Sequence, residues 1–291
     1  MHPSRWLIAP ALLAGLSIAG TGRAQVSGET ASDLAIAVDA GRLVSQHLFA
    51  DGEAVCGPAA VVNCLRQGTP RMAAMWDGLV GGDDATRLRF VIDRWFRNRP
   101  SAAFPGKKRL SHDGVLEEDL ADACREIWAE AGLPAPTGGY LDRRVGEKSP
   151  EFLARVHGLI AGSLRDGQPP ILSLKTYIAR RLKRMDDELA WELAQHHWVV
   201  VTGVRRDLRA TDLGFAMELI DPDGARVSSA YVYAETRQDF NALKGTEARG
   251  EWLRGRPFLL VEAPGVLWLR PKEADWPDRV IVVANFLVGS R

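Results

Sequence analysis

The sequence predicts an α+β fold, with a helical first half, a second half of antiparallel strands, and two lobes around one cleft. Three observations carry that expectation. Helix-spaced apolar residues with recognisable stops dominate residues 30–164. The stretch Gly167-Gln168-Pro169-Pro170 then breaks the pattern. Beyond it come short β-rich runs, of which Trp198-Val199-Val200-Val201-Thr202 is the strongest.

Taken in order, a helix is expected over residues 30–50, leading into Gln46-His47-Leu48-Phe49. A polar turn, Asp51-Gly52-Glu53, delivers Cys56, and a helix over Pro58–Arg66 stops near Gly68. Helices over Met72–Gly81 and Asp84–Arg97 follow, then a loop from Pro100 to Ser111. An amphipathic helix over Val115–Ala131 carries Cys124 and ends at Gly132 and Pro134. Residues 135–150 are expected as loop and Glu151–Leu164 as helix. Strands are expected at Ile171–Leu174, His197–Val204, Phe215–Ile220, Ser229–Tyr233, Phe258–Val261 and Val280–Ala284. Between the first two, Lys175–Gln195 predicts a helix whose Lys175, Arg180, Arg181, Lys183 and Arg184 form a solvated face or, alternatively, a substrate-covering insertion.

The amino-terminal segment predicts export. Met1–Arg5 is positively charged, Trp6–Gly20 is apolar, and Thr21-Gly22-Arg23-Ala24 ends in small residues. That is the pattern of a signal peptide over residues 1–24, which places residues 25–291 in the periplasm or outside the cell. No later segment is long and apolar enough to span a bilayer. The whole chain holds 37 basic and 37 acidic residues; without Arg5 and Arg23 the balance is 35 against 37. Such a balance does not call for nucleic acid or an anionic membrane as partner.

Three cysteines are an odd number for an exported chain. On one helix Cys56 and Cys64 would stand ~12 Å apart, beyond disulfide reach. Any bond must therefore involve Cys124, with Cys64 the favoured mate; the alternative is three reduced, buried thiols.

The segment Cys56-Gly57-Pro58-Ala59-Ala60-Val61-Val62-Asn63-Cys64-Leu65 carries the strongest chemical signal. Pro favours the first turn of a helix, where its missing N–H costs nothing. Cys56 then meets the open N–H groups and positive dipole end of that helix, which favour a thiolate. A cysteine nucleophile needs a base, and the base an orienting group. His197 opens one predicted strand and Asp221 closes the next, with the polar loop Arg205–Gly214 between them. Antiparallel pairing about residue 209 sets the two opposite each other, where Cβ atoms are ~5 Å apart. The carboxylate would then accept the Nδ1–H of His197 and aim the ring. His196, on the other face, is expected as an exposed neighbour.

Cys-Gly-Pro-Ala-Ala, then His-Trp-Val-Val-Val-Thr-Gly, then Ile-Asp-Pro, resembles the papain-like cysteine peptidases. The nearest group is the bacteriocin-leader (double-glycine) peptidases and their stand-alone exported relatives. The resemblance implies a papain-like two-lobe fold, with a helical lobe over about 25–166 and a β lobe over about 167–291. It implies Cys56 as nucleophile, His197 as general base and then acid, Asp221 as orienter, and no cofactor or metal. The expected partner is a peptide or protein substrate. The same site would serve an acyltransferase or cross-linking enzyme, and a non-catalytic binding module is the rival of another class. The family places an oxyanion-hole Gln a few residues before the Cys. Ala50 stands six before Cys56; Gln46 stands ten before, within reach if Asp51-Gly52-Glu53 is an insertion, and otherwise a surface helix residue.

Overall fold

A computed structural model describes residues 34–49, 53–181, 189–234, 258–269 and 280–290, with the backbone alone at 179–181 and 189–192. The predicted signal peptide, Ala50 and the centre of the 175–195 segment lie outside the described residues. Among the described residues no helix is long and apolar enough to cross a membrane.

A short strand, β1 (Leu34–Ala35), and two 3₁₀ turns replace the helix expected over 30–50. Asp39 and Ser45 explain the change. Their side chains accept from Gly41 and His47 backbone N–H groups, which favours tight turns over a continuous helix. Helix α1 (Cys56–Gln67) then forms where expected, although it begins at Cys56 itself. It is followed by α2 (Pro70–Asp77) and α3 (Asp84–Val91). The single helix expected to Arg97 instead changes to a π-turn over Ile92–Arg97. A small hairpin of β2 (Leu110–Ser111) and β3 (Gly114–Val115) leads into α4 (Glu117–Glu130). The expected loop at 135–150 holds a strand, β4 (Thr137–Tyr140), before α5 (Ser149–Arg165).

The strands of the second half are β5 (Ile171–Arg181), β6 (Leu189–Val204), β7 (Gly214–Asp221), β8 (Arg226–Ala234), β9 (Leu259–Glu262) and β10 (Val280–Gly289). They pair antiparallel in the order β6-β5-β10-β9-β8-β7, and β7 returns to β6. The ring is a closed six-stranded barrel. Strand β1 extends it beside β6, and β4 beside β10. This overturns the papain-like two-lobe arrangement. Closure removes the sheet edges that a separate lobe would have to cover, and the helices pack on the barrel within one compact unit, Ala31–Arg291.

The helix expected over Lys175–Gln195 is also overturned. Strands β5 and β6 run as one long hairpin, from Ile171 opposite Val200 to Arg181 opposite Leu189. The period of two shows in where the side chains go. Trp198 and Val200 pack with α1, α2 and α4, whereas Val199 and Val201 join a second core with α5, Leu172, Leu174 and Leu219. Lys175, expected on a solvated helix face, is buried.

Candidate active site

Helix α1 is anchored on the barrel by its first turn. Gly57 permits the approach. A Cβ there would stand 3.2 Å from both Leu120 Cδ1 and Trp198 Cδ1, and 3.4 Å from Val115 Cβ. The Trp198 indole N–H donates to Val115 O at 3.1 Å and fixes the same corner. The N-cap residue, Val55, makes no side-chain cap hydrogen bond, so among the described residues the first-turn N–H groups beside Cys56 are not taken by a cap. Cys56 itself is buried, with 7 % of its surface exposed.

His197 and Asp221 are both fully buried. The imidazole Nε2 lies 2.8 Å from Asp221 Oδ1. This corrects the expected bond through Nδ1. With Nε2 taken by the carboxylate, Nδ1 is the nitrogen left for Cys56, and it has no hydrogen-bond partner among the described residues. Burial works against the charged ring. The bond to Asp221 and the neighbouring Cys56 side chain overcome burial, and the His197 pKa is raised from 6.5 to about 9. The ring therefore holds a proton at neutral pH, the state that pairs with a thiolate.

The expected register needs correction as well. Val200 pairs with Ile220, and Val201 with Leu219. Continued outward, that register sets Val199, not His197, opposite Asp221. The offset of two keeps His197 and Asp221 on one face as diagonal neighbours, within reach of long side chains. An irregularity at Thr202 shifts the pairing by one between Val201 and Gly203.

Asp221 is held from behind. Its Oδ1 also accepts the Asp223 N–H at 2.9 Å, and Arg226 Nε stands 3.7 Å from its Oδ2. Above the imidazole lies Trp268, whose ring is stacked at 6.0 Å and 30°. Its short 3₁₀ turn, Leu267–Leu269, is tied to β5 by the Thr176 hydroxyl, which donates to Leu269 O at 3.0 Å. Trp268 comes from a segment remote from all three motifs, and no motif points to it.

Gln46 opens the 3₁₀ turn Gln46–Leu48 and is buried, not on the surface. Two amides of α1 bring its segment in. Asn63 bonds both the N–H and C=O of Val44, and Gln67 does the same for Asp39. The Gln46 N–H donates to Pro222 O at 2.9 Å, and its Nε2 donates to Asp223 Oδ1 at 3.4 Å. Its Oε1 is buried and without a partner among the described residues.

On the other face of the hairpin, His196 belongs to a buried polar cluster and is not the exposed neighbour expected. Ser173 Oγ lies 2.8 Å from His196 Nε2 and donates to Asn285 Oδ1 at 2.6 Å. Asn285 Nδ2 donates to Glu117 Oε1 at 2.9 Å, and Lys175 Nζ pairs with the same oxygen at 2.5 Å. Burial penalises the Glu117 carboxylate, but His196, Lys175 and Asn285 outweigh it and lower its pKa to about 2. The cluster ties the start of α4 to the barrel. Asn285 reaches it from an irregularity in β10 between Ala284 and Phe286.

All three cysteines are free thiols, so the disulfide expected between Cys64 and Cys124 is not formed in this structure. Cys64 Sγ donates to Pro169 O at 3.0 Å. Burial, reinforced by Cys124, pushes the Cys64 thiol well above its usual range, and burial pushes Cys124 up to about 12. Both therefore stay protonated and inert in the folded chain. Among the described residues no group of three or more His, Cys, Asp or Glu is placed to hold a metal ion.

Comparison with protein-family models, with curated proteins and with solved structures finds no match to this chain.

Proposed function

We propose that this chain is a cysteine hydrolase of acyl compounds, with peptides or proteins as its substrates. The observation that carries the proposal is the buried set of Cys56, at the uncapped start of α1, and His197, held on Asp221 and raised to about 9 beside the thiol. The proposal rests on this arrangement of side chains and not on a two-lobe fold.

The chemistry follows from the residues. His197 holds the proton of the Cys56 thiol, and the thiolate Sγ attacks a carbonyl carbon. The carbonyl π electrons move to oxygen, where first-turn N–H groups of α1 can receive the charge. Collapse of that adduct expels the amine or alkoxide leaving group, which takes the proton from His197. A thioester on Cys56 remains. Water gives a proton to His197 as its oxygen attacks the thioester, and Cys56 departs as thiolate. Asp221 keeps the ring oriented and supports its positive charge.

Alkylation by iodoacetamide near pH 7 tests the proposal. Cys56 in the folded protein should react at least tenfold faster than a free cysteine, Cys64 and Cys124 should not react, and His197→Ala should slow the reaction at Cys56. Hydrolysis of p-nitrophenyl acetate should vanish in Cys56→Ala. A Cys56 no faster than free cysteine, together with ester hydrolysis equal in wild type and Cys56→Ala, overturns it.

A further inference from the structure

The carboxylate that orients His197 has one unsatisfied side. Asp221 is fully buried. Its Oδ1 is engaged twice, by the His197 ring at 2.8 Å and by the Asp223 N–H at 2.9 Å. Its Oδ2 is buried and accepts no hydrogen bond among the described residues. A second carboxylate, Asp223, stands two residues further on in the turn between β7 and β8. Burial and a like charge nearby both make a negative charge costly. A carboxylate in this place needs a cation to offset them.

Arg226 is placed to be that cation. It is the direct partner of Asp221 across the β7–β8 turn, where opposed residues have Cβ atoms ~5 Å apart. The turn itself, Pro222-Asp223-Gly224-Ala225, reverses through positive φ at Gly224 and Ala225. Arg226 Nε donates to Asp223 O at 3.0 Å, which fixes the guanidinium over the turn. From there Nε stands 3.7 Å from Asp221 Oδ2, and Nη2 stands 3.6 Å from Asp223 Oδ2. One guanidinium thus faces both carboxylates, and it keeps its charge at every working pH. The other titratable groups at this turn are His197, with Cys56 beyond it, and the exposed His47, whose Nε2 lies 2.6 Å from Asp223 Oδ1.

We infer that Arg226 is a positioning residue: its guanidinium balances the buried Asp221 carboxylate, which can then carry the protonated His197 ring beside the Cys56 thiolate. The inference rests on the hydrolase proposal above. Arg226 is half-exposed, so water screens part of its attraction and the effect is moderate. Loss of a positive charge here favours the protonated form of every titratable group around the turn. The thiolate–imidazolium pair then forms at higher pH, whichever group takes the larger share. An arginine that merely braced the turn would change the rate by one factor at every pH.

The experiment uses the full chain and follows two rates against pH: Cys56 alkylation by iodoacetamide, and kcat/KM for p-nitrophenyl acetate. In Arg226→Gln the acid limb of both profiles should move up by ~1 pH unit, so rates on that limb fall ~10-fold and the loss shrinks towards the plateau. Arg226→Lys restores the charge and should recover most of the shift. Asp223→Asn removes the neighbouring negative charge, keeps the N–H that Asp221 accepts, and should move the limb down. That variant leaves Arg226 in place and decides the matter even if Arg226→Gln does not fold. An unmoved acid limb in Arg226→Gln overturns the inference. So does a limb displaced as far in Arg226→Lys as in Arg226→Gln, a loss equal at every pH, or a limb that Asp223→Asn leaves in place or moves up. Wild-type protein that hydrolyses the ester no faster than Cys56→Ala overturns the hydrolase proposal itself. Active wild type with an unmoved limb in Arg226→Gln overturns the role of Arg226 alone.

Discussion

His197 Nε2 and Asp221 Oδ1 stand 2.8 Å apart although the two residues are not partners across their strands. They meet because the register offset is even, so both side chains leave the sheet on the same face. The carboxylate is the first group that offsets burial of the imidazolium. Asp221→Ala should therefore lower the His197 pKa from about 9, since Cys56 alone is then left to oppose burial. An NMR titration of the His197 ring measures this directly. A pKa still near 9 in the variant would show that Asp221 is not what holds the proton.

The raised pKa also sets a stability limb. A histidine whose folded pKa lies above its unfolded value stabilises the protein fully below the unfolded pKa. That contribution is lost as pH rises through the folded value. For His197 the window runs from about 6.5 to about 9. The unfolding free energy from urea titrations should fall across that window by on the order of a kcal/mol or more. In His197→Gln the fall attributable to this residue should be gone. Equal slopes in wild type and variant would remove His197 from the account.

The parts of the site that follow from local rules were legible in the sequence. Cys56 ahead of Gly57-Pro58 marks a helix start by turn chemistry alone, and the shared face of His197 and Asp221 follows from the period of two. What was not legible depends on contacts between distant residues. Lys175 carries the charge of a solvated helix, and only its pairing with Glu117, 58 positions earlier, makes a buried strand position tolerable. The closure of the barrel rests on the short pairing of β6 with β7, and irregularities at Thr202 and Asn285 adjust it. No periodicity announces either one. The position of Gln46 is set by Asn63 and Gln67 on α1, whose side-chain amides act as the missing strand partner for Val44 and Asp39.

Gly57 links packing to reactivity. An added Cβ would sit 3.2 Å from Leu120 and Trp198 atoms that are themselves buried. Neither ring nor methyl can withdraw into a close-packed core without displacing others. Gly57→Ala should cost about 1–3 kcal/mol and should slow Cys56 alkylation, because α1 must move away from β6 and carry Cys56 with it. Urea unfolding and iodoacetamide kinetics on the same sample test both halves. A variant as stable and as reactive as wild type would mean the first turn has room to spare.

The Glu117–Lys175 pair makes an opposite pH prediction. A carboxyl whose folded pKa is lowered stabilises the protein above its unfolded pKa. For Glu117 that support is complete above about 4.5 and is lost as pH falls through about 2. Lys175→Met leaves the carboxylate buried without the cation that pairs with it, and should destabilise the fold by about 3–5 kcal/mol at neutral pH. The carboxyl should then protonate at higher pH, so acid unfolding of the variant begins earlier. Adding Glu117→Gln should restore much of the loss, because the amide needs no cation and can still accept from Asn285. Acid titrations of the single and double variants, followed by tryptophan fluorescence, separate the outcomes. If Lys175→Met unfolds at the same pH and urea concentration as wild type, the pair contributes nothing to holding α4 on the barrel.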